Sequence, residues 1–329
     1  MDEKFLISGG IPRVLGELIP GHVFKKAELA EINFTKKTYK PVLNYTSPKE
    51  YCADIAPSIT FGGFRKVDSK FYIPTRTEVL VVDAATYEIE EVITDPLFND
   101  LHDVLVKDGI LYVAVTGMDA VFKIHLNTRE RTVINIAGKL PFHRFKESDN
   151  LNKRSSLKPH EAHPNNLFEI DNQIWVTRLT MMDAVCIDDI SNTIKISAGL
   201  PHDGFVKGNF IYFTTVNGYV VVVDKTTKKE IKSIKLVSAK GTEDTPLGWC
   251  RGIFVDENYF YVGFTQLRTT KVTENLDWAK TMIEKKKIIR KPLPTRIEKY
   301  TLDGTYVSEF RFPKNGIYNI FSIKKVAIV

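Results

Sequence analysis

Cysteine and long apolar runs are scarce in this 329-residue sequence, and each absence excludes a class of protein. The three cysteines, Cys52, Cys186 and Cys250, are too few and too scattered for a disulfide framework or a paired-cysteine metal site. No run reaches the ~20 apolar residues that a membrane-spanning helix needs, and the first residues lack the charged-then-apolar layout of a signal peptide. We therefore expect no membrane partner and a reducing, cytoplasmic location.

Common nucleotide-site and hydrolase motifs are also absent. No P-loop, GxGxxG, GxSxG, HExxH or EF-hand string occurs. The net charge of +6 comes from 46 Lys+Arg against 40 Asp+Glu, and these residues are spread along most of the chain. A dense basic run, Lys285–Lys287 with Arg290 and Lys291, is interpreted as the solvated face of a helix. No nucleic-acid partner is expected, because no aromatic platform or binding motif accompanies that run.

The chain is instead rich in a repeated strand pattern. Each copy has a short strand, a tight turn containing Asp, Asn or Gly, a stronger strand carrying an aromatic residue, and a further strand; the copies cover 62–86, 101–128, 163–188, 201–227 and 249–268. Four antiparallel strands in roughly 40–60 residues are typical of one blade of a β-propeller. A blade buries both faces only between two neighbours, so the pattern predicts an all-β ring.

The two ends of the sequence complete one further unit. The C-terminal string GIYNIFSIKKVAIV matches the start of a unit, and the N-terminal strings KFLISGG, HVFKKAELAEINF and TYKPVLNY supply the missing strands. We therefore predict a single six-bladed propeller domain, 1–329, closed by N- and C-terminal strands that share one blade. The predicted blades are 1–60 with 314–329, 61–98, 99–138, 160–200, 201–240 and 246–312.

Three strings carry a family resemblance: LYVAVTGMDAVFKI, FYIPTRTEVLVVDAATYEI and IYFTTVNGYVVVVDKTTKKEI. They resemble repeats of the YVTN/NHL type, and the chain is similar to propellers of the YVTN/NHL/SMP-30-like superfamily over most of its length. The resemblance implies the propeller fold. That superfamily contains lactonases, lyases, cyclotransferases and binding scaffolds, so the resemblance does not assign a function.

Two stretches interrupt the repeat. Residues 139–159 are polar and basic, and residues 270–295 contain a predicted helix near 273–288 that ends before Pro292 and Pro294. Insertions between regular blades often form lids or partner surfaces. The sequence therefore leaves room for a protein partner at 139–159 and 270–295.

Polar residues recur at one phase of the repeat. Counting back ten positions from the aromatic of each unit reaches His102, Asn165, His202, Arg251, Gly62 and, from Ile328, Tyr318. This phase precedes the innermost strand, so we predict that these side chains converge at one mouth of the central channel. Asp103 and Asp203 follow the two histidines directly, and His160 and His163 lie just before Asn165. Trp249 precedes Arg251, and Arg76, Arg178 and Arg268 end three equivalent second strands.

These residues suggest a small-molecule site. His102, His202, Asp103 and Asp203 are the candidate catalytic residues, because a histidine beside a carboxylate can act as a general base. A divalent metal ion held by His102, His160, His163 and His202 is the other interpretation, since neutral imidazoles are common metal ligands. The candidate substrate-binding residues, which suit an anionic substrate, are Arg76, Asn165, Arg178, Trp249, Arg251, Arg268 and Tyr318.

Two functions remain open at this point. The first is an enzyme, a metal- or histidine-dependent lyase or hydrolase; its pattern of histidines at blade entrances is similar to that of propeller lyases of the virginiamycin B lyase type. The similarity lies in placement only, and the blade number and inner-strand strings differ. The second is a non-catalytic scaffold that binds a protein or glycan through its rim and insertions. For any one of these polar residues, a structural hydrogen bond to the next blade is the competing interpretation.

Overall fold

A computed structural model of the chain describes residues 2–13, 24–239, 247–267 and 293–326. In these ranges the chain forms six antiparallel sheets of four strands each and two short 3-10 helices, Lys49–Tyr51 and Thr116–Met118. The predicted six-bladed propeller is confirmed. No helix among these residues is long and apolar enough to cross a membrane. The predicted helix near 273–288, the residue Arg268 and the basic run at 285–291 lie outside the described residues.

The strands, in chain order, are β1 Lys4–Pro12, β2 Phe24–Asn33, β3 Thr38–Tyr45, β4 Arg65–Val67, β5 Lys70–Pro74, β6 Glu78–Asp83, β7 Ile89–Thr94, β8 Leu101–Lys107, β9 Ile110–Val115, β10 Ala120–His125, β11 Arg131–Asn135, β12 Pro164–Ile170, β13 Gln173–Arg178, β14 Asp183–Cys186, β15 Thr193–Lys195, β16 Phe205–Lys207, β17 Phe210–Thr215, β18 Tyr219–Asp224, β19 Glu230–Lys235, β20 Trp249–Val255, β21 Tyr259–Thr265, β22 Arg296–Thr301, β23 Tyr306–Arg311 and β24 Asn319–Lys325.

Five blades consist of four consecutive strands, and the sixth joins both ends of the chain. In that blade β24 pairs with β1, and β2 and β3 follow outward. The pairing runs from Phe5 opposite Lys325 to Gly10 opposite Asn319. The first strands of neighbouring blades contact each other, as β8 does β12 and β20 does β24. The innermost layer of the propeller is therefore β4, β8, β12, β16, β20 and β24.

Apolar packing between blades closes the ring. Six buried hydrophobic clusters occupy the six interfaces between neighbouring blades. Strand β6 shows how this works: Val79 and Val81 pack towards the following blade, and Leu80 and Val82 pack towards the preceding one. Because alternate residues of a strand point to opposite faces, a continuous apolar run fills two interfaces. Each such side chain contributes roughly 1.5–3 kcal/mol on burial.

The insertion at 139–159 has no strand of its own and is fixed to the propeller by a few contacts. Leu151 and Leu157 are buried in the hydrophobic cluster between the β4–β7 blade and the β8–β11 blade. Asn99 donates to the carbonyl oxygens of Leu151 and Arg154, 2.8 Å in each case. The insertion is therefore attached at the interface of the β4–β7 and β8–β11 blades, and its role as a partner surface remains a prediction.

Candidate functional site

The innermost strands are interrupted where the predicted site residues lie. In β8, His102 and Asp103 together face one residue of β9, and in β20 Arg251 and Gly252 together face one residue of β21. Asn165 in β12 and Phe321 in β24 are single extra residues in the same way. A β-bulge re-aims the extra side chain. These bulges explain why residues from different blades meet at one point. They also refine the prediction, because His102, Asn165 and Arg251 lie inside the inner strands and do not precede them.

Four histidines, one arginine and one phenylalanine form what we call the mouth cluster: His102, His160, His163, His202, Arg251 and Phe321. The His102 ring centroid is 5.0 Å from that of His163 and 6.2 Å from that of His202. His160 and His163 are also 5.0 Å apart. The Arg251 guanidinium carbon lies 3.8 Å from the centre of the Phe321 ring, and that ring also contacts His102 and His202. The structure thus brings together all four predicted histidines.

The turn that carries His160 and His163 is held by a buried aspartate. Asp119 accepts hydrogen bonds from the backbone N–H groups of Glu161, Ala162 and His163 at 2.8–2.9 Å. Arg144 of the insertion donates to the same carboxylate at 2.8 Å. His163 itself has a positive φ of 54°, a conformation that costs energy in a non-glycine residue. Asp119 therefore stabilises a strained turn whose effect is to place two imidazoles at the mouth.

The hydrogen bonds of His102 define its tautomer. Its Nδ1 lies 2.9 Å from the Asp100 carbonyl oxygen, which can only accept, so Nδ1 carries the proton. Nδ1 also lies 2.9 Å from the Thr116 hydroxyl, which donates its own proton to the Pro164 carbonyl. The neutral ring therefore has its unprotonated nitrogen at Nε2. Among the described residues, no hydrogen bond to Nε2 is formed.

Burial keeps these imidazoles neutral. It lowers the pKa of His102 to about 4, and the carboxylate of Asp100 only partly opposes this effect. The pKa values of His163 and His202 also lie well below the usual range, chiefly through burial and then through neighbouring imidazoles or Arg251. For Asp100, burial raises the pKa, but Arg76 at 3.1 Å and the surrounding histidines hold it well below its usual value.

Three buried polar atoms at the mouth have no partner within the described part of the chain. They are His160 Nε2, Asn165 Oδ1 and His202 Nδ1. Asn165 uses only its amide nitrogen, which donates to the Pro201 carbonyl at 3.0 Å. A buried polar atom without a hydrogen bond costs about 1–3 kcal/mol. A bound water or ligand at the mouth would recover that energy.

The candidate catalytic residue Asp103 has a structural role. Arg65 of the preceding blade donates hydrogen bonds to both of its carboxylate oxygens, at 2.8 and 3.2 Å. Its Oδ2 also accepts from the Asn166 amide and the Leu167 backbone, at 2.9 and 2.8 Å. Asp103 therefore joins three blades, and both of its carboxylate oxygens are occupied by hydrogen bonds. The physical reason is that the bulge turns it away from its neighbour His102 and towards Arg65.

Asp203 occupies the same repeat position with different partners. Its Oδ2 accepts from the Thr214 hydroxyl and from the Gly252 N–H at 2.9 Å, and no described arginine or lysine forms an ion pair with it. Burial raises its pKa to about 6. Burial raises the pKa of Asp103 as well, but there Arg65 opposes it. The two predicted catalytic aspartates thus differ in that only Asp103 has an ion pair with a described arginine.

Several predicted substrate-binding residues are engaged elsewhere. Arg178 makes a bidentate ion pair with Asp183 at 2.7–2.8 Å and donates to the Ile136 carbonyl at 2.6 Å, so all its nitrogens serve blade packing. Tyr318 donates to the Gln266 carbonyl, and its place beside the histidines is taken by Phe321.

Arg76 does lie at the mouth, paired with Asp100. Trp249 is partly buried at the start of β20.

Sequence reasoning missed Phe321, Thr116 and Asp119. Counting back from Ile328, which lies outside the described residues, gives Tyr318, whereas the extra residue of the β24 bulge is Phe321, three residues further on. The signal for Asp119 was available: it precedes a third strand, as Glu78 and Asp183 begin theirs, and all three are buried acids. Of these, Glu78 and Asp119 accept hydrogen bonds from residues in the connections between strands.

The residues of the mouth cluster do not fit a metal ion as arranged. Nowhere in the described ranges do three or more His, Cys, Asp or Glu side chains converge as a metal-binding group. Nδ1 of His160 and Nδ1 of His163 lie 2.9 Å apart and hydrogen-bond to each other, so neither of these atoms points to a shared ion. Arg251 and Arg76 add positive charge beside His102, which disfavours a further cation.

A larger surface groove of about 610 Å³ lies away from the mouth, on the outer strands β15 and β19. Its lining includes Lys195, Lys228, Lys229, Lys232 and the exposed Ile231. Lysines are the usual protection of an exposed sheet edge. We therefore place the candidate site at the channel mouth.

Replacing Thr116 by valine should destabilise the protein by about 1–2 kcal/mol, because it leaves the Pro164 carbonyl without a donor and removes one partner of His102. Urea unfolding measures the change. Thr132→Val, at an exposed position of β11, is the matched control and should change stability little. An equal loss in both variants would show that the Thr116 hydroxyl has no special role.

Fold and site together define a six-bladed propeller with a buried cluster of neutral imidazoles at one mouth of its channel. No family model matches the chain, and no curated protein matches it. Among solved structures it is similar to a proposed 6-phosphogluconolactonase from Bacteroides uniformis ATCC 8492, with 13% identity, 94% of this chain and 83% of that chain covered, and a TM-score of 0.49. It is also similar to the computationally designed Ika8 protein, with 10% identity, coverage of 90% and 74%, and a TM-score of 0.43.

Proposed function

We propose that the protein is an enzyme that binds a small anionic substrate at the mouth cluster and uses His102 as a general base. The observation that carries this proposal is the tautomer of His102. Its Nδ1–H is held by Asp100 and Thr116, which leaves the Nε2 lone pair to accept a proton. A base held in one tautomer by a second group is the usual arrangement in catalytic histidines.

The surrounding charges favour an anion. Arg251 and Arg76 both lower the pKa of His102 after the effect of burial, so both add positive potential at the imidazole. An anionic substrate would reverse that potential and raise the proton affinity of Nε2. Binding would therefore bring a weak base closer to the neutral range in which general bases work best. The unpartnered atoms of His160, Asn165 and His202 are available to orient the substrate.

The reaction class that suits this arrangement is proton abstraction or activation of water, as in a lyase or a hydrolase. The histidine removes a proton through Nε2, and the arginines stabilise the negative charge that develops. A non-catalytic scaffold that binds a partner through the rim is the other candidate, and the same experiment separates the two.

The test is a screen of lactones, esters and acidic sugars with a pH indicator, followed by kinetics on any substrate found. His102→Asn keeps a donor for the Asp100 carbonyl and removes Nε2, so kcat should fall by about 100-fold or more. His125→Asn, at an exposed position of β10, is the matched control and should retain full activity. Equal activity in wild type and His102→Asn, or no turnover beside tight binding of a macromolecular partner, would reject the enzyme proposal.

A further inference from the structure

A second polar site is lined mostly by residues of the inner strands and by Phe321. It is a cavity of about 30 Å³, enough for about two water-sized groups, and its lining includes Arg65, Asn166, Asp203, Phe321, Ser322 and Lys324. Several of these residues, Arg65 and Lys324 among them, keep part of their surface exposed. The cavity is therefore in contact with solvent.

Of the three charged groups that line this cavity, Arg65 is neutralised by its ion pair with Asp103. The Arg65 guanidinium binds both oxygens of Asp103 and also the Leu167 carbonyl. Asp103 receives two further hydrogen bonds from β12. These bonds occupy both groups, so neither is available to Lys324 or Asp203.

Lys324 and Asp203 are the remaining pair. Within the described ranges, the Lys324 amine makes no hydrogen bond and no ion pair, and Asp203 Oδ1 accepts no hydrogen bond. Both side chains line the same cavity. An amine in a desolvated site beside another cation is the setting in which lysine becomes a nucleophile.

We propose that Lys324 is a reactive amine that forms an imine with a small aldehyde entering the channel, and that Asp203 supplies the proton for loss of water. This site shares only Phe321 with the mouth cluster and does not depend on the function proposed there. The size of the cavity limits the class of ligand, because about 30 Å³ admits an aldehyde of about two heavy atoms, such as formaldehyde, and excludes ring compounds.

The reaction balances without a further reagent. The neutral amine attacks the carbonyl carbon, a C–N bond forms, and the carbonyl electron pair moves to oxygen. Transfer of one proton from nitrogen to that oxygen gives a carbinolamine. The C–O bond then breaks with protonation of the hydroxyl by the Asp203 acid, which receives a proton back from nitrogen. Amine and aldehyde thus give imine and water.

The titration of both groups supports this chemistry. Burial, and then Arg65, lower the pKa of Lys324 to about 7, while Asp103 and Asp203 oppose the shift. Burial raises the pKa of Asp203 to about 6. The facing groups are Arg65 from β4, Asp103 from β8, Asn166 from β12, Asp203 before β16, the apolar Ile253 from β20, and Ser322 from β24 itself. At pH 7 about half of the Lys324 amine is neutral, whereas less than about 0.1% of an ordinary lysine is.

The test is reductive methylation with formaldehyde and cyanoborohydride, followed by fragmentation mass spectrometry. Lys325 is the internal control, because it is the next residue, is exposed and lies in the same peptide. We expect Lys324 to be labelled at least about tenfold faster at pH 7, and its rate to level off above that pH while the rate at Lys325 keeps rising. Equal rates, or parallel pH profiles, would overturn the proposal.

Two further experiments test whether the fast-reacting amine is that of Lys324 and whether it lies inside the cavity. Lys324→Arg should remove the fast phase, and Lys325→Arg should retain it. Pyridoxal 5′-phosphate, an aldehyde too large for the cavity, should label Lys325 but not Lys324. Rapid labelling of Lys324 by this large aldehyde would place the amine outside the channel and contradict the assignment.

Discussion

Replacing Asp103 by asparagine is expected to destabilise the protein by about 3–5 kcal/mol, the usual cost of removing one partner of a buried ion pair. Arg65 would lose its bidentate partner, and the new amide group would place a donor against the donors of Arg65 or Leu167. Three blades meet at this carboxylate, so the loss should appear as a lower free energy of unfolding in urea. Ligand binding at the mouth should change little in the protein that remains folded.

Asp203→Asn is the matched control, because the two aspartates occupy the same position in their repeats. An asparagine oxygen can still accept from the Thr214 hydroxyl and the Gly252 N–H. Since burial already favours the neutral form of Asp203, we expect a change within about 1 kcal/mol. Equal costs for the two variants would refute the division between a structural and a titrating aspartate.

The fold could be predicted because the strand pattern of a propeller blade is repeated several times along the sequence. Strings such as VLVVD and YVVVVD identify middle strands buried on both faces. The matching ends showed that β24 would close the ring on β1. Because every blade packs against its neighbours in the same way, a wrong strand assignment in one repeat can be recognised by comparison with the other repeats.

The site was harder to predict because bulges break the alternation on which strand reasoning depends. His102 and Asp103 are adjacent in sequence but have unrelated partners. The partner of Asp103 comes from another blade, and one signal pointed to it. In each blade, one residue of the inner strand pairs with the aromatic residue of the second strand. In four blades that residue is apolar: Leu105, Phe168, Phe205 and Phe254. In the β4–β7 blade it is Arg65. A charge at an otherwise apolar repeat position indicates a buried ion pair.

Acidification from about pH 6.5 to pH 4 should lower the free energy of unfolding through the mouth cluster. The pKa of His102 is about 4 in the folded protein and about 6.5 in the unfolded chain. Between these values the unfolded state binds more protons, so stability rises with pH. The contribution is complete above pH 6.5 and is lost as the pH falls to 4. For His102 alone it reaches about 3 kcal/mol, and His163 and His202 act in the same direction.

Asp203 has the opposite effect, because its raised pKa makes the folded state bind more protons between about pH 4 and 6. The measurement is therefore the difference between wild type and His102→Asn, in which the contribution of Asp203 cancels. Urea unfolding at pH 4.5, 5.5 and 7 should show the variant losing less stability on acidification than wild type. His125→Asn should follow wild type at every pH. A His102→Asn curve parallel to wild type would mean that this imidazole is accessible to protons in the folded protein, and the neutral base proposed at the mouth would be wrong.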